Sequence, residues 1–374
     1  MDLQPIEIFG RPNHEHGWKL SDRQNEFWLN TVLPNSSPSS FEAAELRQKL
    51  VDTLDRLQLD CLAIHGWSLP GAPVAMQWAV NSKTPAVVMS ESNYDDATRS
   101  RVKEMFKKRL LGSVSAGLVG GQKHKDYLQR LGIPSDGIFT GYNAIDNHYF
   151  EQVAGASRAE GAKLREQLEL PEKFFIASTR FVEKKNLVRL IDAFGEYHAS
   201  QRKPWHLVLL GDGELKTRIQ SRVRELGLEA FVKFAGRISY DAIPAYYALA
   251  QALVHVSVTE QWGLVVNEAM ACGLPVIVSR QTGCTEELVH ASNGLTCDAY
   301  TTSDIVDCLK QIHLKTPEQL AEMGSSSTSI IENFSTHKFA EGLKLACEHA
   351  ILHPRRPALA AKIAQRINSR LQRV

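Results

Sequence analysis

The chain has 374 residues, 43% of them hydrophobic and 23% charged. Those proportions exclude a mostly disordered chain, and the length suits two domains with a core each. Lysine and arginine number 43 against 42 aspartate and glutamate, so a net charge of +1 gives no global drive toward nucleic acid.

In chain order, short apolar runs alternate with longer amphipathic segments. The first half has candidate strands at Ile6–Phe9, Phe27–Val32, Cys61–His65, Ala86–Met89, Gly117–Gly120 and Ile138–Thr140. Helical patterns fall at 42–58, with Leu46, Leu50, Leu54 and Leu57 along one face, and at 98–111 and 122–131. The second half has strands at Phe174–Ser178, Leu207–Leu210, Val232–Ala235, Leu253–Ser257 and Val276–Ser279. Helical patterns follow at 186–201, 214–226, 241–250 and 264–272. Strand–helix alternation predicts parallel sheets covered by helices on both faces, hence two doubly wound α/β domains. The polar, helix-prone stretch near 151–170 is the expected boundary. No apolar run approaches the roughly 20 residues that span a bilayer, and the N-terminus lacks the pattern of a secretory signal. The six cysteines form no CxxC pair, which reads as reduced thiols in a cytosolic protein.

The chemistry concentrates in Ser257–Pro275, SVTEQWGLVVNEAMACGLP. A strand ends, a loop carries Glu260, and a helix begins after Trp262–Gly263, with Glu268 inside it. Backbone N–H groups at Gly263 and Leu264 sit at a helix start, where an anion is received. Carboxylates accept hydrogen bonds from sugar hydroxyls, so this pattern suits a nucleotide sugar.

This extended segment resembles the EX7E motif of the retaining glycosyltransferases of family 4, which have the GT-B fold. Other segments are similar to that family in the same order. ASTRFVEKKNL at 177–187 resembles its R-x4-K segment, LVLLGDGEL at 207–215 its glycine turn, and FAGRIS at 234–239 its base-contacting loop. VSRQTGCTEEL at 278–288 and NGL at 293–295 follow. The resemblance runs through about 170–300 and more loosely over 117–150. It implies a GT-B α/β fold of two Rossmann-like domains facing a cleft. The expected divisions are 1–150 on the acceptor side, 151–352 for the donor, and a basic amphipathic helix at 353–374.

By the same resemblance, Arg180, Lys185 and Glu260 would be catalytic: the cations on the pyrophosphate, the carboxylate on the transferred sugar. Gly211, Gly213, Arg237, Gly263, Leu264 and Glu268 would bind the donor, Glu268 through the ribose. The implied activity is retaining hexosyl transfer from a nucleotide diphosphate sugar to a glycan or lipid-linked acceptor, in cell-surface polysaccharide or glycolipid synthesis. No cofactor and no metal are expected; Asp95 and Asp96 do not form the DxD of metal-dependent relatives. The other readings are a non-catalytic nucleotide-sugar-binding or scaffold protein, and an epimerase of the same fold.

The first half departs from the pattern. Family members open with a buried strand, a glycine-rich loop and a helix, whereas MDLQPIEIFG already resembles their second strand. The reading favours a start lying upstream; a differently closed domain and impaired catalysis stay open. DRLQLDCLAIHGW at 55–67 and AVVMSESNYDD at 86–96 supply His65 and Glu91 as acceptor-side candidates. TRSRVKEMFKKRLL at 98–111 and the basic tail carry apolar residues beside their cations, which leaves two readings: contact with an anionic membrane surface from the cytoplasmic side, or solvated helices packing their apolar faces on the protein. Nucleic acid is not an expected partner.

Overall fold

A computed structural model describes residues 2–9 and 29–355. Two compact units emerge. The first runs to Tyr142, apart from Asp95–Ala97, and resumes at Ala340; the second holds Asn143–Phe339 with Asp95–Ala97.

The first unit contains β1 (Ile6–Phe9), β2 (Asn30–Leu33), α1 (Ala43–Leu57), β3 (Leu62–His65), α2 (Ala72–Ser82), β4 (Ala86–Ser90), α3 (Arg101–Leu110), β5 (Ala116–Val119), α4 (Gln122–Arg130) and β6 (Ile138–Thr140). Phe27 and Trp28 of the expected second strand lie outside the described residues. The strands form two parallel ladders, β1-β2 and β3-β4-β5-β6. Among the described residues β1 pairs with β2 alone and β3 with β4 alone. Both ladders share one core: Val32 and Leu33 pack with Leu62, Ile64 and the buried face of α1, Leu46, Leu50 and Leu54. Those three leucines recur every four residues, which places them on one stripe of a helix.

The second unit begins with α5 (Asn147–Ala159) and α6 (Gly161–Gln167), then β7 (Phe174–Ser178), α7 (Leu187–Ser200), β8 (His206–Leu210), α8 (Lys216–Glu225), β9 (Val232–Gly236), α9 (Ile243–Leu249), β10 (Ala252–His255), α10 (Leu264–Ala271), β11 (Val276–Ser279), α11 (Thr285–Leu288), β12 (Gly294–Cys297), α12 (Thr302–His313) and α13 (Pro317–Ile331). The stretch near 151–170 is therefore helical. Asp146 caps α5 by accepting the Tyr149 N–H at 3.0 Å, and Phe150 and Ala154 are buried in this unit's core.

All six strands pair in parallel, in the order β12-β11-β10-β7-β8-β9. Their side chains alternate between two cores. Phe174, Ile176, Val208 and Leu210 face one layer of helices; Phe175, Ala177, Leu207 and Leu209 face the other. A strand buried on both faces reads as a near-continuous apolar run, as β7 does from Phe174 to Ala177. Successive crossovers run outward from β7 in one direction and from β10 in the other. The β7/β10 boundary is thus the point where strand order reverses, and the loops leaving it diverge.

The last helix, α14 (Thr336–Leu352), starts in the second unit and ends in the first. On the first unit, Gly342 lies against β6: a Cβ there would sit 2.2 Å from the Thr140 carbonyl oxygen. His349 packs its ring on Phe139 at 5.7 Å. His353–Arg355 are not helical, and residues 356–374 of the expected tail helix lie outside the described residues.

Two helical glycines should respond oppositely to alanine. Gly342→Ala should lose about 1–3 kcal/mol, because backbone blocks the new methyl. Gly155 of α5 is exposed and a Cβ there meets nothing within 4 Å, so Gly155→Ala should gain up to about 1 kcal/mol of helix propensity. Urea melts of both variants check this.

Candidate functional site

The loops after β7 and β10 are tied together by backbone bonds. The Val258 N–H donates to the Lys184 carbonyl at 2.9 Å. Asn186 takes a left-handed φ of 59°, and its amide donates to the Val256 carbonyl at 3.1 Å and the Ala299 carbonyl at 2.7 Å. These ties bring the Lys185 ammonium onto Glu260 Oε2, with side chains only 12% and 14% exposed. His255, at the end of β10 and 4% exposed, places Nε2 3.7 Å from the same carboxylate oxygen and 3.2 Å from Ser257 Oγ.

Burial works against the charge of Glu260, yet His255 and the Lys185 ammonium hold its carboxyl well below the usual range. Burial lowers Lys185, with Glu260 opposing. Burial also lowers His255, with the hydrogen bond to Glu260 opposing. Arg180 is exposed and its charge reaches Lys185. Its guanidinium forms no ion pair among the described residues.

The 279–284 loop holds Glu260 from the other side. The Glu260 carbonyl accepts the Gly283 N–H at 3.0 Å, and the Trp262 carbonyl accepts the Cys284 N–H at 3.2 Å. Trp262 is buried and donates Nε1–H to Asn267 Oδ1 at 2.9 Å. Gly263 then opens α10 at a φ of 102°. A Cβ there would lie 3.1 Å from Thr282 and 3.6 Å from both Glu260 Cγ and His255 Nε2, so backbone angle and space both call for glycine. In a helix the N–H groups of the first turn have no carbonyl to reach; Leu264, 38% exposed, is at this end.

Glu268 lies further along α10 and is 4% exposed. Tyr247 donates its hydroxyl to Glu268 Oε2 at 3.2 Å. Burial pushes this carboxyl up to about 7.

Gly211 and Gly213, expected to let backbone approach a ligand, here approach the chain itself. A Cβ at Gly211 would stand 1.8 Å from the Thr179 carbonyl oxygen, and one at Gly213 would stand 2.6 Å from that of Phe181. Their absent side chains let the turn after β8 pack on the Arg180 loop. Arg237 is exposed; its charge supports the lowered carboxyl of Asp212, after the larger effect of the Gly213 N–H.

In the first unit, His65 ends β3 and is exposed. Its Nδ1 is hydrogen-bonded to the Tyr142 hydroxyl, and the rings meet edge to face at 5.7 Å. Burial and then the charge of Glu91 raise Tyr142. His65, Glu91 and Tyr142 thus gather at the C-terminal ends of strands, the usual side for ligands in such sheets.

Three residues here escape sequence reasoning. His255 sits five residues before Glu260 in an apolar strand, Tyr247 in an apolar helix, and Tyr142 in a turn. For His255 the signal was a titratable side chain interrupting the run ALVHVSV.

The raised Glu268 carboxyl has a stability consequence. The folded chain holds its proton up to about pH 7, while the unfolded chain releases it near 4.5. Stability therefore falls between those values as pH rises, by about 3 kcal/mol. Relative to the parent, Glu268→Gln should gain roughly that much between pH 4.5 and pH 8, as read by urea melts at both.

Comparison with known proteins bears on what this arrangement belongs to. Residues 162–329 match the family model described as Glycosyl transferases group 1. The chain is 26% identical over 359 residues to N-acetyl-alpha-D-glucosaminyl L-malate synthase of Bacillus anthracis, covering 87% of this chain and 89% of that one. It is 25% identical over 264 residues to alpha-monoglucosyldiacylglycerol synthase of Acholeplasma laidlawii, covering 66% and 65%. Among solved structures it is similar to Anabaena HepE in complex with UDP, at a TM-score of 0.70 and 21% identity over 86% of this chain and 87% of that one. Residues 162–329 are thus similar to the glycosyl transferases group 1, and the chain has the α/β GT-B fold of two Rossmann-like domains.

Proposed function

We propose that the chain is a retaining, metal-independent glycosyltransferase of family 4, moving a hexosyl group from a nucleotide diphosphate sugar to a glycan or lipid-linked acceptor. The observation that carries this reading is the meeting of the β7 and β10 loops at the reversal of strand order, with Arg180, Lys185 and Glu260 on them. Arg180 and Lys185 meet the diphosphate and offset the charge that grows on it as the glycosidic bond breaks. Glu260 accepts hydrogen bonds from the transferred sugar, and Glu268 from the ribose. The backbone at Gly263 and Leu264 faces the donor's anionic end, while Gly211, Gly213 and Arg237 line the turns beside it. In the first unit, His65 and Glu91 orient the acceptor.

The HepE structures are complexes with UDP and with UDP-glucose, which makes UDP-sugars the first donors to test. The curated relatives are a synthase of a GlcNAc–malate conjugate and a synthase of a glucosyl lipid. They support a small hydroxylated or lipid-linked acceptor, in polysaccharide or glycolipid synthesis. No helix among the described residues is long and apolar enough to cross a membrane. Instead α3 exposes Arg101, Lys103, Lys108 and Arg109 beside Val102 and Met105, at 70% and 47% exposure. That face suits an anionic membrane surface, reached from the cytoplasm.

Calorimetry with UDP, GDP and ADP sugars tests the donor site, followed by donor hydrolysis. Ribose hydroxyls donate to an ionised carboxylate, so binding expels the Glu268 proton. Donor affinity should therefore rise between about pH 6 and pH 8 and then level off. Arg180→Ala should cut turnover by about 10²–10³-fold and change stability by less than about 0.5 kcal/mol, because the side chain is exposed and forms no ion pair among the described residues. No binding in a folded chain sinks the reading; binding without turnover for any acceptor turns it to a non-catalytic nucleotide-sugar-binding protein.

For the surface contact, vesicles containing phosphatidylglycerol should co-sediment the chain at low salt. Reversing Lys103 and Lys108 to glutamate should release it. Equal binding to neutral vesicles would sink this part.

A further inference from the structure

One buried imidazole stands beside the Lys185–Glu260 pair and has no part in the transfer proposed above. His255 ends β10, in register with Val278 of β11, and is 4% exposed. Its Nε2 is 3.7 Å from Glu260 Oε2 and 3.2 Å from Ser257 Oγ. The Lys185 ammonium meets the same carboxylate oxygen, Oε2. Both contacts therefore fall on one side of the carboxylate, and Oε1 is the oxygen left to face a ligand. The ring is boxed in. A Cβ on Gly263 would lie 3.6 Å from Nε2, so the start of α10 sits against it. The Ser257 carbonyl accepts from Ser279 Oγ at 2.6 Å, which is in turn 2.9 Å from Thr282 Oγ1.

We infer that His255 is a positioning residue for Glu260: it holds the carboxylate in place when Lys185 turns from Glu260 to the diphosphate of the donor. The inference rests on the donor reading proposed above, in which Lys185 serves two anions in turn. In the empty chain its counter-ion is Glu260. A bound diphosphate carries more negative charge than one carboxylate, so it competes for the same ammonium. Glu260 is then short of a partner, and a buried carboxylate without one is costly. His255 Nε2 is already beside Oε2. In a neutral imidazole one ring nitrogen donates and the other accepts, and a neighbouring carboxylate favours the proton on Nε2. The Nε2–H donates to Glu260 Oε2, with Ser257 Oγ as its second acceptor. Closing 3.7 Å to a strong hydrogen bond takes a small rotation of the Glu260 side chain. No proton is transferred; the carboxylate only changes its main partner.

This exchange separates the two halves of the donor. The nucleotide diphosphate draws on Lys185, whereas the transferred sugar draws on Glu260. Removing the imidazole spares the first and loosens the carboxylate to which the sugar hydroxyls donate. A histidine that only filled space would affect both halves alike, or neither. The surrounding run ALVHVSV is otherwise apolar and rich in strand-forming residues, so leucine at position 255 suits the strand.

The test compares the full chain with His255→Leu and His255→Gln. The probes are UDP-glucose, GDP-mannose and ADP-glucose with their matching diphosphates, and the pair that the parent binds most tightly is carried forward. Calorimetry should find the leucine variant within about twofold of the parent for the diphosphate, with the extra affinity due to the sugar reduced. Donor hydrolysis at saturation should fall by about 10–10²-fold. Glutamine, whose amide can donate toward Glu260, should recover most of both losses. In the parent with 15N-labelled histidine, the diphosphate alone should move the His255 Nε2–H proton signal downfield, as a stronger hydrogen bond does; the signal is assigned by its absence in His255→Gln, so this readout stands even where the leucine variant fails to fold. A folded parent that binds none of the probes overturns the donor reading and this inference with it. With a parent that binds, this inference alone is overturned by a leucine variant that matches the parent for the sugar, by equal losses for diphosphate and sugar, by no recovery in glutamine, or by an Nε2–H signal that the diphosphate leaves in place.

Discussion

A buried ion pair is the constraint around which the second unit's loops are built. Lys185 and Glu260 are 12% and 14% exposed, and taking two charges out of water costs several kcal/mol each before their attraction is counted. Such a pair persists only where its geometry is good and further polar groups share it. His255 supplies one such group from below. Backbone bonds hold the loops that carry the pair: the Lys184 carbonyl accepts the Val258 N–H, and the Glu260 carbonyl accepts the Gly283 N–H. Loss of either ionic partner would leave the other buried without its counter-ion, so both positions bear on stability. Arg180, exposed on the same loop, carries charge without that coupling.

The pair also depends on where the sheet reverses. β7 and β10 are neighbours in space but are separated in sequence by β8, β9 and their helices. Only that adjacency lets a cation 11 residues past the start of β7 meet a carboxylate past the end of β10. Glycines make the adjacency tight. Gly211 and Gly213 let the turn after β8 press on Thr179 and Phe181, and Gly263 lets α10 begin directly over Glu260 and His255. Asn186, held at a left-handed φ, spends its side chain on two carbonyls from other loops.

This explains what the sequence disclosed and what it withheld. Strands of the second unit were legible because a strand buried on both faces must be a short apolar run; β7 and β11 fall where the apolar runs place them. The places of Arg180, Lys185 and Glu260 on the loops after β7 and β10, and of Glu268 on α10, were legible because they follow from local turns and one helix. The contact of Lys185 with Glu260 was not, since it arises from strand order. His255, Tyr247 and Tyr142 were missed for the same reason: each has an ordinary place in its own element and gains meaning from residues far away in sequence. α2 was missed because it is apolar nearly all round, with Ala72, Ala75, Met76, Trp78 and Ala79 buried, so it lacks an amphipathic stripe. The stretch near 151–170 is polar on the solvent side of α5 and α6, while Phe150 and Ala154 anchor α5 inward.

The two glutamates of the motif show why spacing alone cannot state a role. Both are largely buried, yet their environments push them apart. Glu260 has a cation and an imidazole within reach and stays ionised far below the ordinary range. Among the described residues Glu268 has only the Tyr247 hydroxyl, and burial raises it to about 7. The first is a fixed charge, already neutralised by Lys185, whose hydrogen-bonding capacity is what remains for a ligand. The second is poised near neutrality, and its ionisation is set by whatever binds beside it. A hydroxyl-bearing ligand that donates to Glu268 would supply the hydrogen bonds that the folded chain withholds, and would thereby stabilise the carboxylate that burial disfavours. Two residues of one chemical type, eight positions apart, are thus given different work by a lysine and a tyrosine that no local pattern connects to them.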